Sequence, residues 1–402
     1  MRHEQYIERQ LEAALQALLS RGKSILLLGP RQTGKTTLIN RIPVDKRLTL
    51  ADPRNRLRYE KEPFALTAEV EALVSTKANT PPNALPLVVI DEVQKIPLLL
   101  DAVQDLIDRR IASFILTGSS ARKLRRSGEV NLLPGRAMPL RLDPFMQTEL
   151  QSVSYSLEAL LLDGALPDVV LQDNETFREE LLEAYVTIYL EEEIRAEAVV
   201  RDLGHFARFL ELAAADSGKL VNFNKLSQDI GVTHTTITGY YQILEDCLVA
   251  ERIEPFTYSK TRHKLSKAPK YLLYDLGVRR VAAREGRRLS REQMGHLLEQ
   301  HVGLELIRTI RALQKRWTVK YWRDASGVEV DWVVETPEAY IPIEVKWTES
   351  PTESDAKHLK LFLAEYPEAT QGFIICRTPH IMQITDHIVA LPWQQVKDVL
   401  YS

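Results

Sequence analysis

The sequence predicts an α/β chain with a parallel sheet near its start and a second α/β region at its end, and three observations carry that expectation. Ile25-Leu26-Leu27-Leu28, Leu87-Val88-Val89-Ile90 and Phe114-Ile115-Leu116 are apolar throughout, which suits strands buried on both faces of a parallel sheet. Helical stretches separate them, as crossover connections require. From about residue 297, helices again alternate with strand-like runs at 329–334, 341–346 and 372–375.

A chain of 402 residues exceeds what one core usually organises, so several domains are expected. Boundaries are placed at 1–150 for the first α/β domain, 151–220 for a helical lid or connector, 221–258 for a compact module, 259–296 for a basic connector and 297–402 for the last domain. The composition, 45% hydrophobic and 27% charged, is that of an ordinary globular protein. A net charge of −3 excludes a uniformly basic nucleic-acid coat and leaves local patches to be sought. Cys247 and Cys376 lie far apart without metal-ligand spacing, and a reducing cytoplasm is the expected compartment. Met1-Arg2-His3-Glu4-Gln5 carries charge where a signal peptide needs apolar residues, and no run approaches the roughly 20 apolar residues of a membrane span. The expectation is a cytoplasmic protein without a membrane partner.

In chain order, a first helix is expected over about 8–20, where Leu11, Leu15, Leu18 and Leu19 recur at helical spacing. The first apolar run then enters Gly29-Pro30-Arg31-Gln32-Thr33-Gly34-Lys35-Thr36-Thr37. Gly29, Gly34, Lys35 and Thr36 meet the G-x-x-x-x-G-K-[ST] spacing between a strand and a helix. Loop amides and the helix N-terminus would hold phosphate, Lys35 would neutralise β/γ charge, and Thr36 would ligate Mg²⁺. ATP with Mg²⁺ is therefore the expected ligand. Asp91 and Glu92 end the second run, where a parallel strand delivers side chains beside the phosphates. Asp91 is assigned to Mg²⁺ and Glu92 to the attacking water as general base, with a helix cap as the other reading. Thr117-Gly118-Ser119-Ser120 ends the third run. Ser119 is read as the polar sensor of the γ-phosphate, with N-capping by Ser119 or Ser120 as the alternative.

Together these residues resemble the AAA+ superfamily, specifically its bacterial and archaeal ATPases with a C-terminal domain of uncharacterised function. Leu133-Pro134-Gly135-Arg136-Ala137-Met138-Pro139-Leu140 adds to the likeness, since those proteins carry Gly-Arg before the last core strand. The resemblance implies that Arg136 reaches a neighbouring subunit's ATP site as a finger, in a ring or other homo-oligomer. A planar guanidinium can contact two oxygens of the leaving phosphate. A salt bridge within the subunit is the other reading, and Arg122, Arg125 and Arg126 are rival cations.

Residues 157–220 read as mostly helical, broken at Leu166-Pro167, with Glu191-Glu192-Glu193 a solvated helix face. Over 223–245 a short helix, a turn at Gly231 and a second helix opened by Thr233 bring Leu226, Ile230, Ile237 and Leu244 toward one core. Leu248-Val249-Ala250 and Arg252-Ile253 read as the hairpin of a wing, and the whole resembles a winged helix-turn-helix. His234, Thr235, Thr238 and Tyr241 would line the exposed face, able to meet phosphates or base edges. That face holds no arginine, so readout of sequence is not expected, and a packing or lid element is the other reading. Downstream, Lys260, Arg262, Lys264, Lys267, Lys270, Arg279, Arg280, Arg284, Arg287, Arg288 and Arg291 have only Asp275 and Glu285 as acidic neighbours in sequence. They are read as a patch that binds a DNA backbone without base specificity.

In the last domain Asp331 occupies one strand-like run, and Glu344 and Lys346 the next, two residues apart and so on one face. Glu299 lies on the preceding helix. Asp331 and Glu344 would ligate divalent metal, with Lys346 orienting or deprotonating a water for phosphodiester cleavage. Gly327-Val328-Glu329-Val330-Asp331 followed by Ile343-Glu344-Val345-Lys346 resembles the PD-(D/E)xK nuclease superfamily, with Val330 where the leading proline would stand. The resemblance implies a restriction-endonuclease-like domain, and a non-cleaving DNA or partner platform is the alternative. His301 and His358 are expected at the surface. The expected fold class is thus a P-loop AAA+ parallel sheet, a helical lid, a winged helix-turn-helix and a nuclease-like α/β domain. The expected activity is ATP-driven processing of DNA, branched DNA by analogy, by a homo-oligomer with a metal-dependent nuclease domain. The competing function is a nucleotide-switched regulator or scaffold.

Overall fold

The structure is a computed structural model and describes residues 6–76, 85–119, 133–190, 202–258, 268–324 and 326–401. It comprises two compact units, Tyr6–Pro144 with Asp246–Leu248, and Phe145–Glu245 with Val249–Ser402.

In the first unit, α1 (Leu11–Leu19), α2 (Lys35–Asn40), α3 (Pro53–Lys61), α4 (Ala65–Thr76) and α5 (Leu99–Asp108) accompany five strands. These are β1 (Ser24–Leu28), β2 (Lys46–Thr49), β3 (Leu87–Asp91), β4 (Ser113–Gly118) and β5 (Ala137–Arg141), all parallel, in the order β2-β3-β4-β1-β5. The apolar runs lack alternation because both sheet faces are covered. Ile25 and Leu27 join a core with Leu11 and Leu15 of α1, while Leu26 joins a second core with Leu99, Val103 and Leu106 of α5. The strand β2 went unread because Lys46-Arg47-Leu48-Thr49 has one apolar residue. It is an edge strand in which Leu48 is buried and Lys46 pairs with Glu69 at 2.7 Å.

The second unit begins with α6 (Leu157–Asp163), α7 (Pro167–Val170) and α8 (Glu175–Ala184), followed by a π-helical turn, Tyr185–Leu190. Pro167 opens α7, so the break at Leu166-Pro167 is a helix start. The expected charge run Glu191-Glu192-Glu193 lies outside the described residues. Next come α9 (Leu203–Ala215), α10 (Phe223–Ile230) and α11 (His234–Asp246). Asn222 caps α10 through the Lys225 amide, and Gly231 ends it at φ 81°, a conformation that glycine adopts at little cost. Leu226, Ile230, Ile237 and Leu244 are all buried.

Three expectations for this region are corrected. The hairpin is not contained in 248–253: β6 (Ala250–Ile253) pairs antiparallel with β7 (Lys270–Leu273), and Lys260, Arg262, Lys264 and Lys267 between them lie outside the described residues. Tyr241 is not on the exposed face of α11. It is buried and stacks on Tyr271 of β7, ring centroids 4.1 Å apart at 20°, whereas His234, Thr235 and Thr238 are exposed. Finally, the described part of the stretch, 268–296, is not a connector, since it holds β7, α12 (Leu276–Ala282) and the start of α13 (Arg291–Ala312). Lys270, Arg279 and Arg280 are buried. Arg280 pairs with Glu179, Arg279 with Glu285, and Arg287 with Asp163 and Glu175. Most of these acidic partners come from far away in sequence, so local charge density misled. Arg284 and Arg288 are exposed, and Arg284 lies 3.3 Å from Glu211.

The unit closes on a six-stranded sheet of β8 (Thr318–Arg323), β9 (Glu329–Glu335), β10 (Tyr340–Lys346), β11 (Gly372–Cys376), β12 (Met382–Thr385) and β13 (Ile388–Pro392). Its order is β12-β13-β11-β10-β9-β8, with β11 parallel to both neighbours and the other pairs antiparallel. The helix α14 (Lys357–Glu365) supplies Leu359 and Phe362 to a core with Trp322, Val333 and Ile374. From α13, Gly303 meets the sheet so closely that a Cβ there would lie 2.5 Å from the Trp332 indole.

Candidate functional sites

The first candidate site lies where β1, β3 and β4 end. Gly29 approaches the backbone after β5 so closely that a Cβ would sit 2.3 Å from the Leu142 carbonyl oxygen. Gln32 and Gly34 are left-handed, at φ 60° and 91°, and Thr33 Oγ1 donates to the Pro30 carbonyl at 2.9 Å. This fixes 29–34 as a turn that opens α2. Lys35 is buried, and its Nζ donates to the Gly29 and Pro30 carbonyls at 2.8 Å each. Thr36 and Thr37 sit exposed at the start of α2. Sequence reasoning missed Arg9, a buried side chain that donates to the Thr33 carbonyl at 2.8 Å and the Asp143 carbonyl at 2.6 Å. It braces the loop from a segment whose spacing gives no sign of it.

Asp91, buried at the end of β3, receives Thr36 Oγ1 on Oδ2 at 3.3 Å and Thr117 Oγ1 on Oδ1. A hydroxyl and a carboxylate beside the phosphate loop are the small oxygen set that Mg²⁺ takes together with substrate phosphates, so the residues present fit that ion. Glu92 follows in a left-handed conformation, φ 62° and ψ 42°, uncommon for a residue with a Cβ. Its amide donates to Thr117 Oγ1 at 3.0 Å, and its Oε2 accepts from Gln94 Nε2 at 2.8 Å. Gln94 Nε2 also donates to Ser119 Oγ at 3.2 Å. Ser119 is buried beside these groups, while Ser120 and the rival cations Arg122, Arg125 and Arg126 lie outside the described residues.

Arg136 is elsewhere. Since β5 runs parallel to β1 with Ser24 opposite Ala137 and Leu28 opposite Arg141, Arg136 stands at the sheet edge away from its own phosphate loop. Its guanidinium makes a two-pronged contact with Asp108 at the end of α5, 2.6 and 2.9 Å, which holds the Asp108 carboxyl below its usual range.

The second candidate site is on the six-stranded sheet. Ile343 pairs with Trp332, and the next residues along β10 and β9 are Glu344 and Asp331. Asp331 Oδ2 accepts from the Val345 amide at 2.7 Å. Glu344 is 2% exposed, its Oε2 accepts from Lys346 Nζ at 2.8 Å, and among the described residues Oε1 accepts no hydrogen bond. Burial, Glu344 and Glu299 push the Asp331 carboxyl well above its usual range despite Lys346 and Lys270. For Glu299, burial is outweighed by Lys270 and His296, and its carboxyl is held low. Lys270 was read as surface charge, yet its buried Nζ lies 2.6 Å from Glu329 and 3.4 Å from Glu299, 5.0 Å from the Tyr321 ring centroid. Beside it is a cavity of about 410 Å³ lined by Lys270, His296, Glu299, Arg323, Glu329 and Asp331, among others.

The two histidines expected at the surface are not free there. His301 is buried against Trp393, and His358 is half-buried, with Nδ1 2.9 Å from the Glu329 carbonyl and 3.5 Å from Glu344 Oε1. Among the described residues no three His, Cys, Asp or Glu side chains gather as a metal-holding group. The carboxylates offered at this site are Asp331 and Glu344, with Glu299 taken by Lys270. Among the described residues no helix is long and apolar enough to cross a membrane.

A parallel α/β sheet whose first strand enters a phosphate loop, with a carboxylate pair ending a neighbouring strand, defines a P-loop nucleotide-binding domain. Residues 21–151 match the family model described as an AAA domain. Residues 154–288 match a domain of unknown function, DUF8612, and residues 294–396 another, DUF4143. Two uncharacterized proteins, of Mycobacterium bovis and Mycobacterium tuberculosis, are each 26% identical over 405 residues, covering 97% of this chain and 85% of the relative. Among solved structures, Cdc6p from Pyrobaculum aerophilum is similar at 14% identity and a TM-score of 0.28, over 71% of this chain and 97% of that one. Pif1 helicase from Candida albicans is similar at 16% identity and a TM-score of 0.24, over 41% of this chain and 46% of the helicase. Likeness at that level carries nothing about activity.

Proposed function

We propose that the chain hydrolyses ATP with Mg²⁺ at 29–37, Asp91 and Glu92, and uses that turnover to act on DNA as a homo-oligomer in the cytoplasm. The single observation behind it is the convergence of Thr36 Oγ1 on the buried Asp91 carboxylate beside buried Lys35. Loop amides and Lys35 would bind the β- and γ-phosphates, Thr36 and Asp91 would hold the metal, and Glu92 would accept the proton of the attacking water. Bound Mg²⁺ would neutralise charge on the β- and γ-oxygens. Ser119 would donate to the γ-phosphate, and Arg136 would serve a neighbouring subunit after leaving Asp108. Lys35→Ala should lose ATP binding or turnover, and Glu92→Gln should keep ATP bound while turnover falls about 10²–10⁴-fold. Lys35→Ala hydrolysing ATP at the parent rate overturns the proposal.

DNA is proposed as partner from the helix-turn-helix arrangement of α10 and α11 with its exposed His234, Thr235 and Thr238. Its contacts there would be non-specific, and branched DNA is the form to try first. Mobility shifts with single-stranded, duplex and four-way junction DNA test this, and no binding at low salt favours the regulator.

A second reading, metal-dependent phosphodiester cleavage, is favoured by one observation: Glu344 Oε1 is buried and, among the described residues, accepts no hydrogen bond, with His358 Nδ1 3.5 Å away and Asp331 and Lys346 beside it. Asp331 and Glu344 would hold the metal, and Lys346 would orient the attacking water.

A further inference from the structure

Gln94 attracts notice only through its contacts. It lies in a short 3₁₀ turn, Val93–Lys95, two residues beyond Glu92, and is 7% exposed. Its Nε2 donates both to Glu92 Oε2 and to Ser119 Oγ, at 2.8 and 3.2 Å. Because an ionised carboxylate only accepts, the nitrogen rather than the oxygen of the amide must face Glu92. The Oε1 is then turned into the protein, where among the described residues it finds no donor. It faces Gly118 so closely that a Cβ there would sit 3.0 Å away, the nearest atom such a Cβ would meet.

We propose that Gln94 is a positioning residue for ATP hydrolysis, tying the water-activating carboxylate to the γ-phosphate-facing end of β4 through one amide. The proposal rests on the ATPase reading above. Each contact leaves its partner with one task. Glu92 spends one oxygen on Gln94 and keeps the other for the attacking water. Ser119 accepts from Gln94, so its own O–H is left to donate, the sense needed toward a phosphate oxygen. A glycine at 118 is what leaves room for the amide oxygen.

The experiment measures steady-state turnover and, separately, equilibrium binding of a fluorescent ATP analogue. Gln94→Met, which keeps volume but not the hydrogen bonds, and Gln94→Ala should each lower kcat about tenfold to a hundredfold, the cost of misplacing a catalytic group. The dissociation constant for the analogue should change less than about threefold, because neither phosphate nor metal contacts involve Gln94. Gly118→Ala should lower kcat in the parent by displacing the amide, and should cost nothing further in the Gln94→Ala background, where there is no amide to displace. Parent-like turnover in folded Gln94→Met and Gln94→Ala overturns the proposal, as does a fully multiplicative effect of Gly118→Ala on Gln94→Ala. An equal loss of nucleotide binding also overturns it, by pointing to a structural role. Lys35→Ala and Glu92→Gln run alongside: if they too turn over like the parent, the ATPase reading itself has failed.

Discussion

Two buried groups on α13 should give the second unit an unusual dependence on pH. Glu305 accepts from the Gln147 amide at 3.0 Å and lies 3.6 Å from the Arg308 guanidinium, but burial dominates and pushes its carboxyl from 4.5 up to about 7. His301, four residues earlier, is pushed from 6.5 down to about 3 by burial and by Arg308. A carboxyl raised on folding contributes fully below its unfolded value near 4.5, and the contribution is lost as pH rises through 7. At about 1.36 kcal/mol per pH unit this is about 3 kcal/mol. The histidine runs the other way, contributing fully above 6.5 and losing about 5 kcal/mol as pH falls through 3. Between about 4.5 and 6.5 the two slopes cancel. Glu305→Gln mimics the protonated acid, so relative to the parent it should gain about 3 kcal/mol between pH 4.5 and 7.5, read from urea midpoints and slopes. His301→Gln should gain relative to the parent as pH falls from 6.5 toward 4. Stability curves for both variants that run parallel to the parent's across these ranges would refute the reasoning.

Lys270→Met leaves Glu299 and Glu329 facing each other without the buried ammonium and should destabilise the second unit by about 3–5 kcal/mol; a parent-like urea midpoint contradicts this. If Arg136 acts in trans, mixing Arg136→Ala with Glu92→Gln subunits should restore turnover that neither has alone, whereas exchanging oligomers that never recover it favour the Asp108 pair as its whole role. The cleavage reading expects Mg²⁺ or Mn²⁺ to support DNA cutting that Asp331→Ala, Glu344→Ala and Lys346→Ala each remove, with the ATPase rate unchanged. Cleavage that survives Asp331→Ala and Glu344→Ala together sinks that assignment.

The nucleotide site was legible because its chemistry is local. A phosphate loop needs glycines, a lysine and a hydroxyl within eight positions, and a parallel strand buried on both faces announces itself as an apolar run that stops at its functional residue. Asp91, Glu92 and Ser119 were picked from strand ends alone, and the fold brings them to one place. What stayed hidden was whatever reaches the site sideways. Arg9 comes from ahead of α1 and donates to carbonyl oxygens at the loop, which no motif encodes. Gln94 stands two residues from Glu92, yet its part depends on β4 returning Ser119 to the same place.

In the second unit the same logic explains both success and error. Asp331, Glu344 and Lys346 do lie together, because adjacent antiparallel strands put residues of one strand opposite those of the next, within reach of a side chain. Arg279, Arg280 and Arg287 were misread because charge counted along a chain says nothing about what another segment brings to meet it. Asp163 and Glu179 lie more than a hundred residues before Arg280 and Arg287 and neutralise them. Lys270 shows the consequence most clearly. Counted in sequence it is one more cation for a DNA backbone; in the fold it is spent on Glu299 and Glu329, where it fixes the acidic side of the carboxylate cluster. The positive charge available to a nucleic acid is therefore smaller than the sequence count. Any DNA affinity of this unit should depend less steeply on salt than eleven basic side chains would require.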